Sequence, residues 1–355
     1  MIRFESDYTE GAHPKILERL IQTNDEQTPG YGEDVHCERA AGYIRNYCGR
    51  EDAAVHFLVG GTQANLTVIS ALLRPHQGVI ASEWGHIERH ETGAIESTGH
   101  KVLPQSNSDG KITASQIDAA CKAHIDDPDH EQIVQPGMVY ISHPTENGTI
   151  YTKPELEGIS ASCRKWGIPL FMDGARLGYG LAASVRWSAS GDALTLPDIA
   201  ALCDVFYIGG TKVGAMFGEA VVITTERYKE DFRYLMKQRG AMLAKGRMLG
   251  IQFEALFEDG LYFEISDHAV VMADIIRQAC AKKGYKFMYE TVANQIFLIF
   301  PEHTINELRK SYAFATWGDA GEINGEKHFV VRLCTSWATK EENARKLAED
   351  IVAII

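Results

Sequence analysis

The stretch VFYIGGTKVGAMFGEAVVIT, residues 205–224, decides how this chain is read. Residues 205–208 and 220–223 are short, continuous apolar runs rich in β-branched and aromatic side chains, so each reads as a buried strand. Between them stand Gly209, Gly210 and Gly214, with Lys212 in their midst. An ammonium group placed just past the end of a core strand is partly stripped of water. That lowers its pKa and yields a neutral, nucleophilic amine suited to a Schiff base with an aldehyde. The flanking glycines are expected to let the backbone approach a planar ring. The plain alternative is a surface lysine in a turn.

Working outward, the same kind of apolar run recurs at 55–60, 78–82, 138–143 and 169–174. Helical patterns lie between most of these runs. Residues 62–73 carry apolar side chains at helical spacing, and 152–167 opens on a threonine cap with a proline in the first turn and closes on Gly167. Strands alternating with helices predict an α/β domain around a largely parallel sheet buried on both faces. Beyond residue 225 the texture changes. Residues 225–259 read as long, charged and helical; 285–300, 312–318 and 327–339 read as strands; 340–355 reads as a final helix. The expected division is an N-terminal arm (1–25), a large domain (26–250) and a smaller α+β domain (251–355).

Three further segments could carry chemistry. PLFMDGARLGYG (169–180) delivers Asp173 to a strand end with Arg176 three residues on. A carboxylate there is either half of a turn ion pair or the partner of a protonated ring nitrogen, with the arginine facing an anion. LVGGTQANLTVIS (58–70) is a strand, a glycine turn and a helix start, an arrangement that binds anions through free amides and a hydroxyl. It lacks both the dinucleotide glycine pattern and the P-loop lysine. SEWGHIERHETGA (82–94) puts His86 at a strand end, His90 four residues later on the same face, and Glu91 beside it. Two histidines with no third ligand do not make a metal site, so no metal is expected. A His86 imidazole lying flat on an aromatic cofactor ring is the sharper expectation.

The 355 residues are 45% hydrophobic and 23% charged, with a formal net charge of -13. An acidic surface without basic runs argues against nucleic acid as a partner. No apolar run approaches the roughly 18 residues of a membrane span, and the N-terminus lacks a signal-peptide core. Seven scattered cysteines with no C-x-x-C pair fit reduced core residues of a cytoplasmic protein.

Taken together and in order, these segments resemble the threonine aldolase and aromatic amino acid β-eliminating lyase family, pyridoxal-phosphate enzymes of aspartate-aminotransferase-like fold. FESDYT (4–9), GYGED (30–34), GGTQAN (60–65), GHIERHETGA (85–94), MDGAR (172–176) and VVRLCTSWAT (330–339) carry the resemblance across nearly the whole chain. It implies Lys212 as the Schiff-base lysine, Asp173 on the pyridine nitrogen and His86 stacked on the ring. Gly61, Thr62 and Gln63 are implied at the phosphate. Ser6, Arg176 and Arg332 are implied on the substrate carboxylate, with Arg176 also near the cofactor. Arg239 or Lys245 is implied to reach a neighbouring subunit's phosphate within a homotetramer whose active sites lie at subunit interfaces. GGTKVGAMFGEA reads closest to the low-specificity threonine aldolase and phenylserine aldolase branch. The implied reaction splits Cα–Cβ of a β-hydroxy amino acid into glycine and an aldehyde, with His86, His90 or a water as base. The rival readings are β-elimination on another amino acid at the same site, and a silent protein that keeps the fold without catalysis.

Overall fold

The computed structural model describes residues 1–188 and 191–354. Its centre is a seven-stranded sheet. From one edge to the other the strands are Ala54–Leu58, Glu219–Ile223, Val205–Gly209, Leu170–Asp173, Gln135–Ser142, Gln77–Ser82 and Val102–Gln105. Glu219–Ile223 runs antiparallel to both neighbours, and the remaining pairings are parallel. The continuous apolar runs have the reason expected of them: both faces of the sheet are covered. Val139, Ile141, Met172 and Phe206 face one apolar cluster, while Met138, Tyr140, Phe171 and Val205 face the other. Each large apolar side chain so buried contributes about 1.5–3 kcal/mol. Val102–Gln105 has no counterpart in the sequence reading; it is a four-residue edge strand interrupted by Pro104.

The helices 61–72 and 153–166 form where the caps and periodicity place them. The latter carries a full capping box, with Thr152 and Glu155 each bonding the other's backbone. The expected continuous helix over 225–259 is broken. A short helix Phe232–Gln238 is separated from Arg247–Phe257 by a loop that turns at Gly240, where φ is 71°. The second helix then packs beside Val35–Cys48, away from solvent.

The C-terminal part is a four-stranded antiparallel sheet in the order Ala315–Ile323, Glu326–Cys334, Gln295–Pro301 and Lys286–Phe287, with helices Leu261–Lys283 and Glu341–Ala353 packed against it. Residues 285–300, read as one strand, form two short ones with an irregular segment between them. Ile355, at the end of the expected last helix, lies outside the described residues. The helix Leu261–Lys283 belongs to both halves: Leu261, Ile265 and Val270 pack into the large-sheet core, Met272, Ile276 and Cys280 into the small one. Residues 251–270, expected in the small domain, therefore pack largely with the large sheet. The N-terminal strand Ile2–Arg3 pairs with Tyr312–Ala313, which draws the following residues across the seam between the two cores.

Candidate active site

The strands Val205–Gly209, Leu170–Asp173 and Gln135–Ser142 end at the same edge of the large sheet, and there a cavity of about 630 Å³ opens. This is the edge at which parallel α/β sheets hold their ligands. Lys212, Asp173, His86, Thr62, Arg176 and Arg332 all line the cavity, though they are drawn from five separate segments.

Asp173 is buried but amply served. Its Oδ2 accepts from the Tyr140 hydroxyl at 2.6 Å and from Asn65 Nδ2 at 3.1 Å, and its Oδ1 accepts from the Ala175 N–H at 3.0 Å. Burial works against its charge, but His86 and the bonds from Tyr140, Tyr207 and Ala175 outweigh that and hold the carboxyl below the usual carboxylate range. A carboxylate kept ionised in an apolar floor is what a ring N–H needs opposite it.

His86 opens a single helical turn, His86–Arg89. Its Nδ1 lies 2.8 Å from Glu91 Oε1, an oxygen that also accepts from Asn65 at 2.6 Å. One hydrogen-bonded chain therefore runs from His86 through Glu91 and Asn65 to Asp173. Burial opposes the imidazolium, yet Glu91, Asp173 and Glu146 together raise the pKa above the ordinary imidazole value. His90 behaves oppositely. Its ring centroid is 5.6 Å from that of His86, and burial, then His86 and Arg332, push its pKa down.

Lys212 is enclosed. Burial pulls its pKa down and Arg176 adds to this, against the pull of Asp7, Asp173 and Glu219. The glycines around it serve a purpose other than the expected one. A Cβ on Gly209 would stand 2.2 Å from the Ala175 carbonyl oxygen, and one on Gly210 would stand 2.7 Å from that of Gly218. They let the chain's own backbones pack closely beneath the lysine rather than clearing room for a ring.

Residues 4–353 match the family described as beta-eliminating lyase. The chain belongs to that family. It is 32% identical to a low specificity L-threonine aldolase of a Pseudomonas species, over 99% of this chain and 98% of the relative. A second such aldolase, from Pseudomonas aeruginosa, is 33% identical over 98% of this chain and 96% of its own. The solved threonine aldolase of Leishmania major superposes with a TM-score of 0.92 at 45% identity, covering 99% of this chain and 98% of that one. Aspartate aminotransferase of Thermus thermophilus, at 16% identity with a TM-score of 0.65 and coverage of 99% and 91%, shares the fold. Membership in the beta-eliminating lyase family makes the chain a pyridoxal-phosphate-dependent lyase.

The residues present fit that cofactor. The helix Gly61–Leu72 starts at the cavity with no side-chain cap, so its first N–H groups are available to a phosphate beside Thr62. A Cβ on Gly61 would come 3.0 Å from the Tyr207 hydroxyl. Arg332 stands at the opposite wall with its guanidinium 4.9 Å from the Trp317 ring centroid. One of its nitrogens bonds the Glu5 carbonyl, while its buried Nε has no partner among the described residues.

Other expected positions fall differently. The guanidinium fork expected to face an anionic ligand at Arg176 is occupied by Asp7, at 2.6 and 3.1 Å. Asp7 also accepts from Asn294, so it joins the arm to both cores. Burial opposes its charge, but Arg176 and Lys212 hold its pKa low. A second carboxylate would have to compete with that pairing, so Arg176 holds the arm in place. Gln63 turns away from the cavity: its amide accepts from the Val59 N–H and donates to the Arg239 carbonyl, bracing the glycine turn. Ser6 is half-buried and its hydroxyl has no partner among the described residues. Lys245 lines a separate cleft with Asn24 and Pro29.

Sequence reasoning assigned no role to Asp7, Glu91, Glu146 or Glu219. Glu146 accepts from the Ser142 hydroxyl at 2.7 Å and the His86 N–H at 3.0 Å; burial and Asp173 push its pKa up. Asp7 was written inside the FESDYT motif and Glu91 inside GHIERHETGA. The signal that could have found them was a carboxylate next to a residue already singled out.

Proposed function

We propose that this chain cleaves the Cα–Cβ bond of β-hydroxy amino acids of the threonine, allo-threonine or phenylserine type, giving glycine and an aldehyde. The observation that carries the reading is the meeting, in one cavity, of a buried lysine, an ionised Asp173 and the two histidines. Pyridoxal phosphate, when bound, supplies the electron sink for the bond broken at Cα. Lys212 would hold it covalently. Asp173 keeps a proton on the ring nitrogen. Gly61 and Thr62 would hold the phosphate, and the His86 ring, fixed by Glu91, would stack on the cofactor ring. Arg332 grips the substrate carboxylate through the nitrogen that lacks a partner.

The hydroxyl proton needs a base that is neutral at working pH. The downward shift at His90 and the upward shift at His86 favour His90 for that role. Neither the cavity nor the similarity to threonine aldolases favours β-elimination over aldol cleavage.

The functional unit in this reading is a homotetramer in the cytoplasm with its sites at subunit interfaces. Support comes from Arg239 and Lys245, which do not line this chain's own cavity and so are free to serve a neighbour's. All seven cysteines are free and buried, which suits a reducing compartment. The same reading divides the chain into an arm (1–25), a cofactor domain (26–250) and a small domain (251–355), with the helix Leu261–Lys283 packing into both cores. The test is aldehyde release from a panel of β-hydroxy amino acids with the cofactor-loaded protein. Release of one aldehyde per glycine supports the reading. Ammonia and a keto acid in their place mean β-elimination.

A further inference from the structure

Trp317 lines the cavity and has no part in the reaction as described. It belongs to the strand Ala315–Ile323, at a break in that strand's register with Glu326–Cys334. Thr316 stands opposite Val331 and Gly318 opposite Val330, so Trp317 is the extra residue of a β-bulge. A bulge beside a site re-aims the side chain it carries. The half-buried indole is held by the fully buried Phe297, whose ring meets it edge to face at 5.3 Å and 76°.

Two groups with a role in the proposed reaction flank the same ring. The Arg332 guanidinium carbon is 4.9 Å from the Trp317 centroid, a cation–π contact, and the His90 ring centroid is 6.4 Å away at 51°. His90 in turn stands 5.6 Å from His86, so a run of rings leads from His86 to Arg332 by way of His90 and Trp317. A β-hydroxy amino acid carries its carboxylate on Cα and its hydroxyl on Cβ, one bond apart. With the carboxylate on Arg332 and the hydroxyl at His90, both ends of that bond are anchored to neighbours of Trp317. The remaining carbon substituent of Cβ is then left beside the indole.

We propose that Trp317 is a specificity-determining residue of this site, and that it favours β-hydroxy amino acids whose Cβ carries a flat apolar group such as a phenyl ring. The proposal rests on the functional reading above and names the part of the substrate that this side chain reads. Arg332 and His90 meet features common to every substrate of the class, so neither distinguishes one Cβ substituent from another. Trp317 meets the part that varies. A phenyl group set against the indole gains offset or edge-to-face contact as well as burial, whereas a methyl group gains only a small buried area. Phe297 and Arg332 fix the indole before any substrate arrives, so little rotamer freedom remains to be lost on binding. The bland alternative is that Trp317 only braces Arg332.

The test is the ratio of kcat/KM for L-threo-phenylserine to that for L-threonine, a pair of matched configuration, in the cofactor-loaded protein. Trp317→Leu keeps an apolar side chain and loses the aromatic face. The ratio should fall about tenfold, equivalent to about 1.4 kcal/mol. Trp317→Phe, which retains a flat ring, should keep most of it. A brace for Arg332 would lower both rates alike, so an unchanged ratio in Trp317→Leu overturns the proposal. A ratio that falls as far in Trp317→Phe as in Trp317→Leu overturns it as well, because a flat ring is then not what the substrate meets. Binding gives a second readout without turnover. L-Phenylalanine and L-2-aminobutyrate are the same two amino acids without the hydroxyl. In calorimetry on the loaded protein, the preference for L-phenylalanine should fall by a similar factor in Trp317→Leu, and an unchanged preference overturns the proposal. Should Trp317→Leu fail to fold, Trp317→Met takes its place in both measurements. Failure of the functional reading looks different: loaded wild type then releases no glycine and aldehyde from either substrate, and the calorimetric preference alone decides the role of Trp317.

Discussion

The floor and the far wall of the cavity are built on opposite plans. On the floor, Asp173 has bonds from Tyr140, Asn65 and Ala175, and His86 is tied to Glu91. On the wall, Arg332 keeps a buried Nε without a partner among the described residues. Asp173 and the His86 ring are held by protein, so they keep one geometry before any ligand arrives, although Asn65 Oδ1 and Glu91 Oε2 beside them have no partner among the described residues. The unpartnered Arg332 nitrogen costs about 1–3 kcal/mol as an unsatisfied buried polar atom, which a ligand carboxylate would offset when it binds. In the proposed function the floor serves the cofactor, present in every turnover, and the wall the substrate, which comes and goes.

The largest effect should come from breaking the floor. Asp173→Asn keeps the shape but cannot stabilise a ring N–H⁺. We expect kcat to fall about a thousandfold or more, near 4 kcal/mol at about 1.4 kcal/mol per tenfold, with the protein still folded by circular dichroism. A near-normal rate would give the ring nitrogen another partner.

His90 stands where floor and wall meet, and its replacement should rank next. The base must be unprotonated, and burial with His86 and Arg332 holds His90 below the ordinary imidazole value. The acid limb of kcat/KM should therefore lie below about pH 6.5, with activity lost as pH falls through it. His90→Asn should cost about 10²–10⁴-fold and abolish that limb. A limb that persists unchanged assigns the proton to another group.

The wall should give the smallest effect and a different kind. Arg332→Lys keeps the charge and loses the fork. KM should rise about tenfold to a hundredfold, equivalent to about 1.4–3 kcal/mol, for every substrate tested, with the cofactor's absorption unchanged. Lost cofactor binding with unchanged KM would make Arg332 structural and erase the contrast between floor and wall.

The sequence made the floor far more legible than the wall. Strands such as 205–209 and 170–173 are buried on both faces, so their apolar runs are continuous, and whatever polar residue ends them stands out. Lys212 and Asp173 were visible for that reason. The partners that complete them were not: Tyr140 reaches Asp173 across 33 residues and Asp7 reaches Arg176 across 169. Such pairs depend on which strands become neighbours, and periodicity carries no record of that. Arg176 illustrates the consequence, since its cation was visible and its carboxylate partner was not. The break at Gly240 escaped for a local reason, because one glycine in a charged, helix-favouring stretch costs only about 1 kcal/mol. There, packing of Arg247–Phe257 against Val35–Cys48 decided the path.

Reduction of the cofactor-loaded protein with borohydride, followed by peptide mapping, tests the central claim most directly. The account predicts one pyridoxyl group per chain, fixed on Lys212 and absent in Lys212→Ala, which retains weak cofactor binding but turns over no substrate. A label on any other lysine, or full turnover by Lys212→Ala, would contradict it.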